Sequence, residues 1–326
     1  MSQEYKRLYK TLCETELSIP IFSRDWWLDA VCGAENWDVV LVEKGGRVIA
    51  SMPYYKKKRM GFSILAQPLL TQTLGPWIHP STGKYAKKIG YQKNVMGELI
   101  SKLPKFDFFN QKWHYSYTNW LPFYWGGFKQ TTYYTYVIPN LEDNDQIWEG
   151  MEANLRWEIR KASDRFGLRV RDDLELDAFL RLNKMTFERQ GKSPPYADTL
   201  VKKIDDACKT RNCRKIWIVE DEQGRHHAGV YIVWDENSAY YLLGGGDPQL
   251  VNSGATSLVL WEAIKSSASV TKKFDFEGSM MEPIERFVRG FGAIQESGHR
   301  VTKINSKLIM IQQCLSEIRT SMFRNY

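Results

Sequence analysis

Cysteine is sparse in this chain and unpaired in its spacing. The five cysteines (Cys13, Cys32, Cys208, Cys213, Cys314) are an odd number with no C-x-x-C step, which argues against a disulfide framework and a thiolate zinc site. Long apolar runs are missing as well. None approaches the roughly 18 residues of a membrane span, and the N-terminal Met-Ser-Gln-Glu-Tyr-Lys carries charge where a signal peptide has its apolar core. The sequence therefore predicts a cytoplasmic protein with no membrane span. Neither G-x-G-x-x-G nor G-x-x-x-x-G-K-[ST] occurs, so Gly244-Gly245-Gly246 gives only weak support to a Rossmann or P-loop fold. His226 and His227 fall on opposite faces of one strand, and His79, His114 and His299 are isolated. Their spacing supports neither a metal cluster nor a Ser-His-Asp triad, and no metal is expected.

What is present is apolar and aromatic. The 326 residues are 43% hydrophobic and 13% aromatic, enough for two packed domains. The formal charge of +7 favours an anionic partner: a nucleotide carrier, RNA, a phosphorylated lipid precursor or an anionic glycan. The pattern also repeats. Residues 37–55 and 215–234 are each an apolar run, a charged glycine turn and a second apolar run. Each is followed by a Leu-Gly step (Leu74-Gly75, Leu243-Gly244), a helical stretch and a Phe-Asp-Phe triplet (106–108, 274–276). Both copies close on an aromatic turn with a Gly-Phe pair, at Gly127-Phe128 and Gly290-Phe291. Units of this length bury their own cores, so the repeat predicts two copies of one domain.

The polar stretch Asp143 to Gly150 sets the expected boundary, giving an N-terminal domain over 1–145 and a C-terminal domain over 146–326 that ends in an apolar-periodic helical tail from Ile304 to Met322. A helix after a Ser23 N-cap, hairpins around Gly45-Gly46 and at 215–234, helices over Tyr85 to Leu103, Asp177 to Gln190, Tyr196 to Lys209 and Gly254 to Ala268, and a strand Lys273 to Glu277 complete the reading. Hairpin, strand, helix, strand is an α+β order, without the strict alternation of a doubly wound sheet.

That order resembles the GNAT (GCN5-related N-acetyltransferase) superfamily, and its doubling resembles the Fem-type branch, the FemA/FemB/FemX-like acyl and aminoacyl transferases of bacterial envelope biosynthesis. The phrases that carry the likeness are Leu155-Arg-Trp-Glu-Ile-Arg-Lys-Ala162, Thr186-Phe-Glu-Arg-Gln-Gly191, Tyr240-Tyr-Leu-Leu-Gly-Gly245, Phe274-Asp-Phe276 and Phe287-Val-Arg-Gly-Phe-Gly292. The resemblance implies tandem GNAT-like domains, each a mixed, largely antiparallel sheet flanked by helices. Acetyl-CoA enzymes of the superfamily usually open their main helix with Q/R-x-x-G-x-G/A; here Gln249 to Ala255 stands there, with no arginine and the glycine displaced. Ser253, Gly254, Ala255 and Thr256 are the expected anion-binding loop, since N–H groups at a helix start hold negative charge. There is also no long coiled-coil insertion, so the compact FemX-like form is the nearer comparison.

Transfer to an amine needs oxyanion donors and a path for the proton. Two residues are assigned to catalysis. Glu277, two residues after Asp275 and read as sharing its face of the strand, is the expected base; the first copy has Phe109 there. Tyr241 is the expected proton donor. For substrate binding the reading selects Thr186, Arg189 and Tyr196, and in the closing turn Arg286, Phe287 and Arg289. The expected activity is N-acyl transfer from an anionic activated donor, an acyl-CoA type thioester or aminoacyl-tRNA, to an amine on a cell-envelope or glycan precursor, with no permanently bound cofactor. The alternative is a catalytically silent twin-domain protein that binds glycan or RNA through its aromatic residues.

Overall fold

The computed structural model describes residues 2–278, 280–313 and 315. It divides into two compact units, one of residues 1–133 with 298–326 and one of residues 134–297.

The first unit opens with helices α1 (Ser2–Thr15) and α2 (Asp25–Cys32) before strands β1 (Trp37–Lys44), β2 (Arg47–Arg59), β3 (Phe62–Ala66) and the short β4 (Trp77–Ile78). Helix α3 (Tyr85–Lys102), strand β5 (Phe108–Lys112), helix α4 (Leu121–Trp125) and the first half of β6 (Lys129–Ile138) follow. Lys44 pairs with Arg47 across Gly45 and Gly46, both at positive φ, the geometry that a two-residue hairpin turn requires. Strand β1 is covered on both faces. Trp37, Val39 and Leu41 pack among Tyr9, Cys13 and Leu28, while Val40 and Val42 pack among Val95, Met96 and Leu99 of α3. That period of two explains why its run reads as continuously apolar.

The second unit takes the end of β6, then α5 (Asn144–Gly150), α6 (Ala153–Arg160) and β7 (Arg169–Arg171). Next come α7 (Leu176–Glu188), α8 (Asp198–Lys209), β8 (Arg214–Glu220), β9 (His226–Trp234) and β10 (Ala239–Gly246). Helix α9 (Ala255–Ser267), β11 (Phe274–Asp275), α10 (Glu282–Arg289) and the start of β12 (Ile294–Ile304) close it. Its strands run β6-β11-β10-β9-β8-β7. All pairings are antiparallel except β10 with β11. Trp217, Val219, Val230 and Ile232 share one core with α6 and α9, and α7 and α8 cover the opposite face.

The two units repeat one topology. Each has an antiparallel hairpin, a third antiparallel strand, a helix and a strand parallel to the third, with β3–β5 in the first and β10–β11 in the second. Several expectations shift. The boundary falls at 133/134 rather than 145/146, and residues 298–304 belong to the first unit. The polar stretch read as the domain boundary is α5, capped by Asp143 Oδ1, which accepts the Gln146 N–H at 2.9 Å. Helix α2 starts from Arg24 without a side-chain cap, so Ser23 does not cap it. Of the expected tail, 307–313 is helical with Leu308, Met310 and Ile311 exposed rather than packed; 314 and 316–322 lie outside the described residues. In the second unit, a Cβ built on Gly245 would lie 2.4 Å from the Asn183 backbone nitrogen on α7. Gly245→Ala is therefore expected to cost about 1–3 kcal/mol of overpacking, read as a lowered urea midpoint at unchanged slope.

Candidate functional site

The cleft of the second unit follows from where two strands part. β10 and β11 share two register pairs, Ala239 with Phe274 and Tyr240 with Asp275. β10 then runs on to Gly246, with a register shift between Tyr241 and Leu243. Helix α7 takes over beside this strand end. Asn183 Nδ2 donates to the Gly244 carbonyl at 2.7 Å, and the Gly246 N–H donates to Thr186 Oγ1 at 2.9 Å, so side chains satisfy backbone groups that a sheet edge leaves open. Tyr196 donates to Asn183 Oδ1 at 3.1 Å and holds that amide. The resulting cleft, ≈ 250 Å³, is lined by Gly244–Gly246, by Thr186 and Arg189 of α7, by Ser253, Ala255 and Thr256 at the start of α9, and by Tyr241 and His227.

Gly244 leaves room for a ring. A Cβ there would lie 1.9 Å from the Tyr241 hydroxyl oxygen. Burial, followed by the nearby Tyr196, pushes the Tyr241 phenol up to about 12, so it carries its proton at neutral pH. Gly254 lies in the left-handed region at φ 77°, and a Cβ there would meet the Glu158 carbonyl oxygen at 2.5 Å. Its freedom serves the packing of α6 on α9.

The carboxylates differ from expectation. β11 ends at Asp275, and Glu277 has φ 57°, which breaks the alternation that would place both acids on one face. Asp275 is the buried one, 3% exposed. Burial lifts its carboxyl to about 6, against hydrogen bonds from the Thr135 hydroxyl and the Glu277 N–H.

Sequence spacing gave no reason to join a histidine to the cleft, yet His227 is 7% exposed and stands in a hydrogen-bonded chain. Its Nδ1 is 3.0 Å from Ser253 Oγ and its Nε2 3.1 Å from Asp221 Oδ2. Burial opposes the Asp221 charge, but the Arg225 N–H, the His227 ring and the Arg225 guanidinium outweigh it and hold the carboxyl well below the usual carboxylate range. The missed signal is Asp221 at the turn of the hairpin, six residues before an inward-facing histidine. Of the residues expected for binding, Thr186, Arg189, Ser253, Ala255 and Thr256 line the cleft, and Tyr196 backs it through Asn183. The closing-turn residues do not line it. Phe287 packs edge-on against Phe291, Arg289 pairs with Glu285 and Glu152, and Arg286 is exposed on α10; the helix spends its apolar face on the core. Among the described residues no cluster of three His, Cys, Asp or Glu could hold a metal ion, and no helix is long and apolar enough to cross a membrane.

Residues 150–279, most of the cleft-bearing unit, match the acetyltransferase (GNAT) domain family. The class that this domain defines is the GNAT-fold acyltransferases. Over both units the fold is similar to that of FemX, at 12% identity and a TM-score of 0.63, with 92% of this chain and 95% of FemX covered. It is also similar to a conserved protein of unknown function from Bacteroides thetaiotaomicron (8% identity, TM-score 0.56, 93% and 97% covered). L-PGS from Bacillus licheniformis is a third such structure (12%, 0.53, 97% and 97%). No curated protein matches the sequence significantly. The second unit thus carries a GNAT acetyltransferase domain, and the chain as a whole is similar in fold to FemX.

Because the Asp275 carboxyl binds its proton more tightly when folded, with its acidity moved from 3.8 to about 6, its contribution to stability is present below about pH 4 and lost as pH rises through about 6. Relative to Asp275→Asn, wild-type stability is expected to fall by roughly 3 kcal/mol across that window, as measured by urea unfolding of both proteins at each pH.

Proposed function

We propose that the second unit transfers an acyl or aminoacyl group from an activated anionic carrier to an amine of a cell-envelope or glycan precursor, with the carrier in the cleft beside β10. The observation that carries this reading is the convergence of a cation, helix-start amides and a protonated phenol on that one cleft. Arg189 is exposed at the C-terminal end of α7 and lines the cleft, where a guanidinium suits the carrier's phosphates. The first N–H groups of α9 have no intrahelical acceptor and favour negative charge.

The chemistry joins the amine nitrogen to the carbonyl carbon and breaks the carrier's C–S or C–O bond. The leaving sulfur or oxygen needs a proton, which Tyr241, held protonated by its surroundings, supplies, and the proton shed by the attacking nitrogen returns the phenolate to the phenol. The donor is an acyl-CoA thioester or an aminoacyl-tRNA. Both offer phosphates to Arg189 and α9, and both leave as species that a phenol can protonate.

Tyr241→Phe is expected to lower kcat by about 10²–10⁴-fold with donor KM little changed, and Arg189→Ala to raise donor KM. Steady-state transfer to a model amine reads both, and wild-type rates in both variants would sink the proposal. Salt discriminates the carriers. Affinity for a tRNA donor falls steeply with ionic strength as several phosphate contacts are lost, whereas a CoA thioester shows a shallow slope.

A further inference from the structure

The chain Asp221–His227–Ser253 has the parts of an activated nucleophile. Asp221 accepts from four donors: its Oδ1 takes the N–H of Gln223 at 3.0 Å and of Arg225 at 2.9 Å, and its Oδ2 takes Arg225 Nε at 2.7 Å and faces His227 Nε2 at 3.1 Å. A carboxylate so surrounded accepts and does not donate. The ring nitrogen facing it must then carry hydrogen, and in the neutral imidazole Nδ1 is left bare. That bare nitrogen lies 3.0 Å from Ser253 Oγ. The hydroxyl has a second acceptor in the Leu250 carbonyl at 2.8 Å, so it stays hydrogen-bonded when Nδ1 is protonated.

We propose that Ser253 is a nucleophile, with His227 as its base and Asp221 as the positioning residue, in a site that accepts an acyl group from an ester or thioester. Serine hydrolases join the hydroxyl to Nε2 and the carboxylate to Nδ1. Here the two nitrogens are exchanged, and the roles survive because each is set by what the other nitrogen meets. A linkage that served only to pin the hairpin to the turn before α9 would have no need of the cleft, yet His227 and Ser253 both line it. Ala255 and Thr256, which follow Ser253 in the chain, line the same cleft, and the N–H groups at this helix start are the donors the proposal assigns to a developing oxyanion.

In the acylation step Oγ bonds to the carbonyl carbon, the carbon–carrier bond breaks, and Nδ1 takes the hydroxyl proton and passes it to the departing thiolate or alkoxide. An amine or water then attacks the seryl ester, gives its proton to Nδ1, and Oγ recovers that proton as it leaves. This two-step course goes beyond the proposed transfer and does not rest on it.

A fluorophosphonate tests the site without knowledge of the natural donor. Oγ bonds to phosphorus, fluoride leaves, and the adduct is counted by intact mass and located by peptide mapping. The full-length chain is expected to take one adduct, on Ser253. Ser253→Ala takes none, and His227→Gln, checked for folding by thermal melting, labels about 10²–10⁴-fold more slowly. The wild-type adduct is read without any variant, which keeps the proposal falsifiable should His227→Gln not fold. A folded wild type that takes no adduct on Ser253, or a folded His227→Gln variant labelled at the wild-type rate, overturns it. Each of these results leaves the Tyr241→Phe transfer assay standing on its own.

Discussion

The close approach of α7 to the end of β10 is the contact on which the cleft of the second unit depends. A strand that outruns its parallel neighbour leaves backbone groups that water or another strand must satisfy. Here Asn183 and Thr186 satisfy them from the side. They reach the strand only because Gly244 and Gly245 carry no side chains, one making room for the Tyr241 ring and the other for the α7 backbone. The glycine triplet is thus a packing device first. The cleft is what remains beyond it, walled by the helix, the strand and the turn into α9.

The same parting of strands decides the fate of the acids. Asp275 is the last residue of β11 that keeps a ladder partner, and it is buried with Thr135 and the Glu277 N–H as its hydrogen-bond donors. One residue beyond Phe276 the chain enters the left-handed region, so Glu277 no longer obeys the alternation of the strand. Asp275 keeps its proton affinity high because little solvent reaches it.

Much of this was legible in the chain. The hairpins announced themselves through glycine turns between apolar runs, and the repeat of hairpin, helix and strand gave the doubled α+β architecture. The unit boundary was not legible, because β6 and β12 are ordinary β-branched and polar strands whose sequences do not say which unit takes which half. Nor was α1 read as a helix: its apolar positions, Tyr9 and Cys13, are spaced by four and diluted by charge. The position of Glu277 failed for a sharper reason. A period-2 argument assumes that the strand continues, and nothing in Phe-Asp-Phe-Glu-Gly reports the positive φ that ends it. Thr186, Arg189, Ser253, Ala255 and Thr256, selected through a resemblance in order, line the cleft, whereas Arg286, Phe287 and Arg289, carried over from the same resemblance, lie on a helix that packs and pairs elsewhere.

Gly254 shows how a motif and a packing constraint become confused. A glycine before the main helix invites a phosphate-loop reading, in which the missing Cβ lets a ligand approach the backbone. At this position the space is already taken by the Glu158 carbonyl, so the glycine explains how α6 and α9 meet and carries no information about a ligand. What remains for an anion is the free N–H end of α9 and Arg189, neither of which demands glycine. The residue beside it is constrained differently. Ser253 is fixed by its hydroxyl, through His227 to Asp221, and a histidine whose spacing supported neither a metal cluster nor a triad acquires partners because the hairpin turn and the helix start are folded against each other. Spacing along a chain locates such a group only when its partners lie on one element. These three lie on a turn, a strand and a loop, and only the fold brings them together.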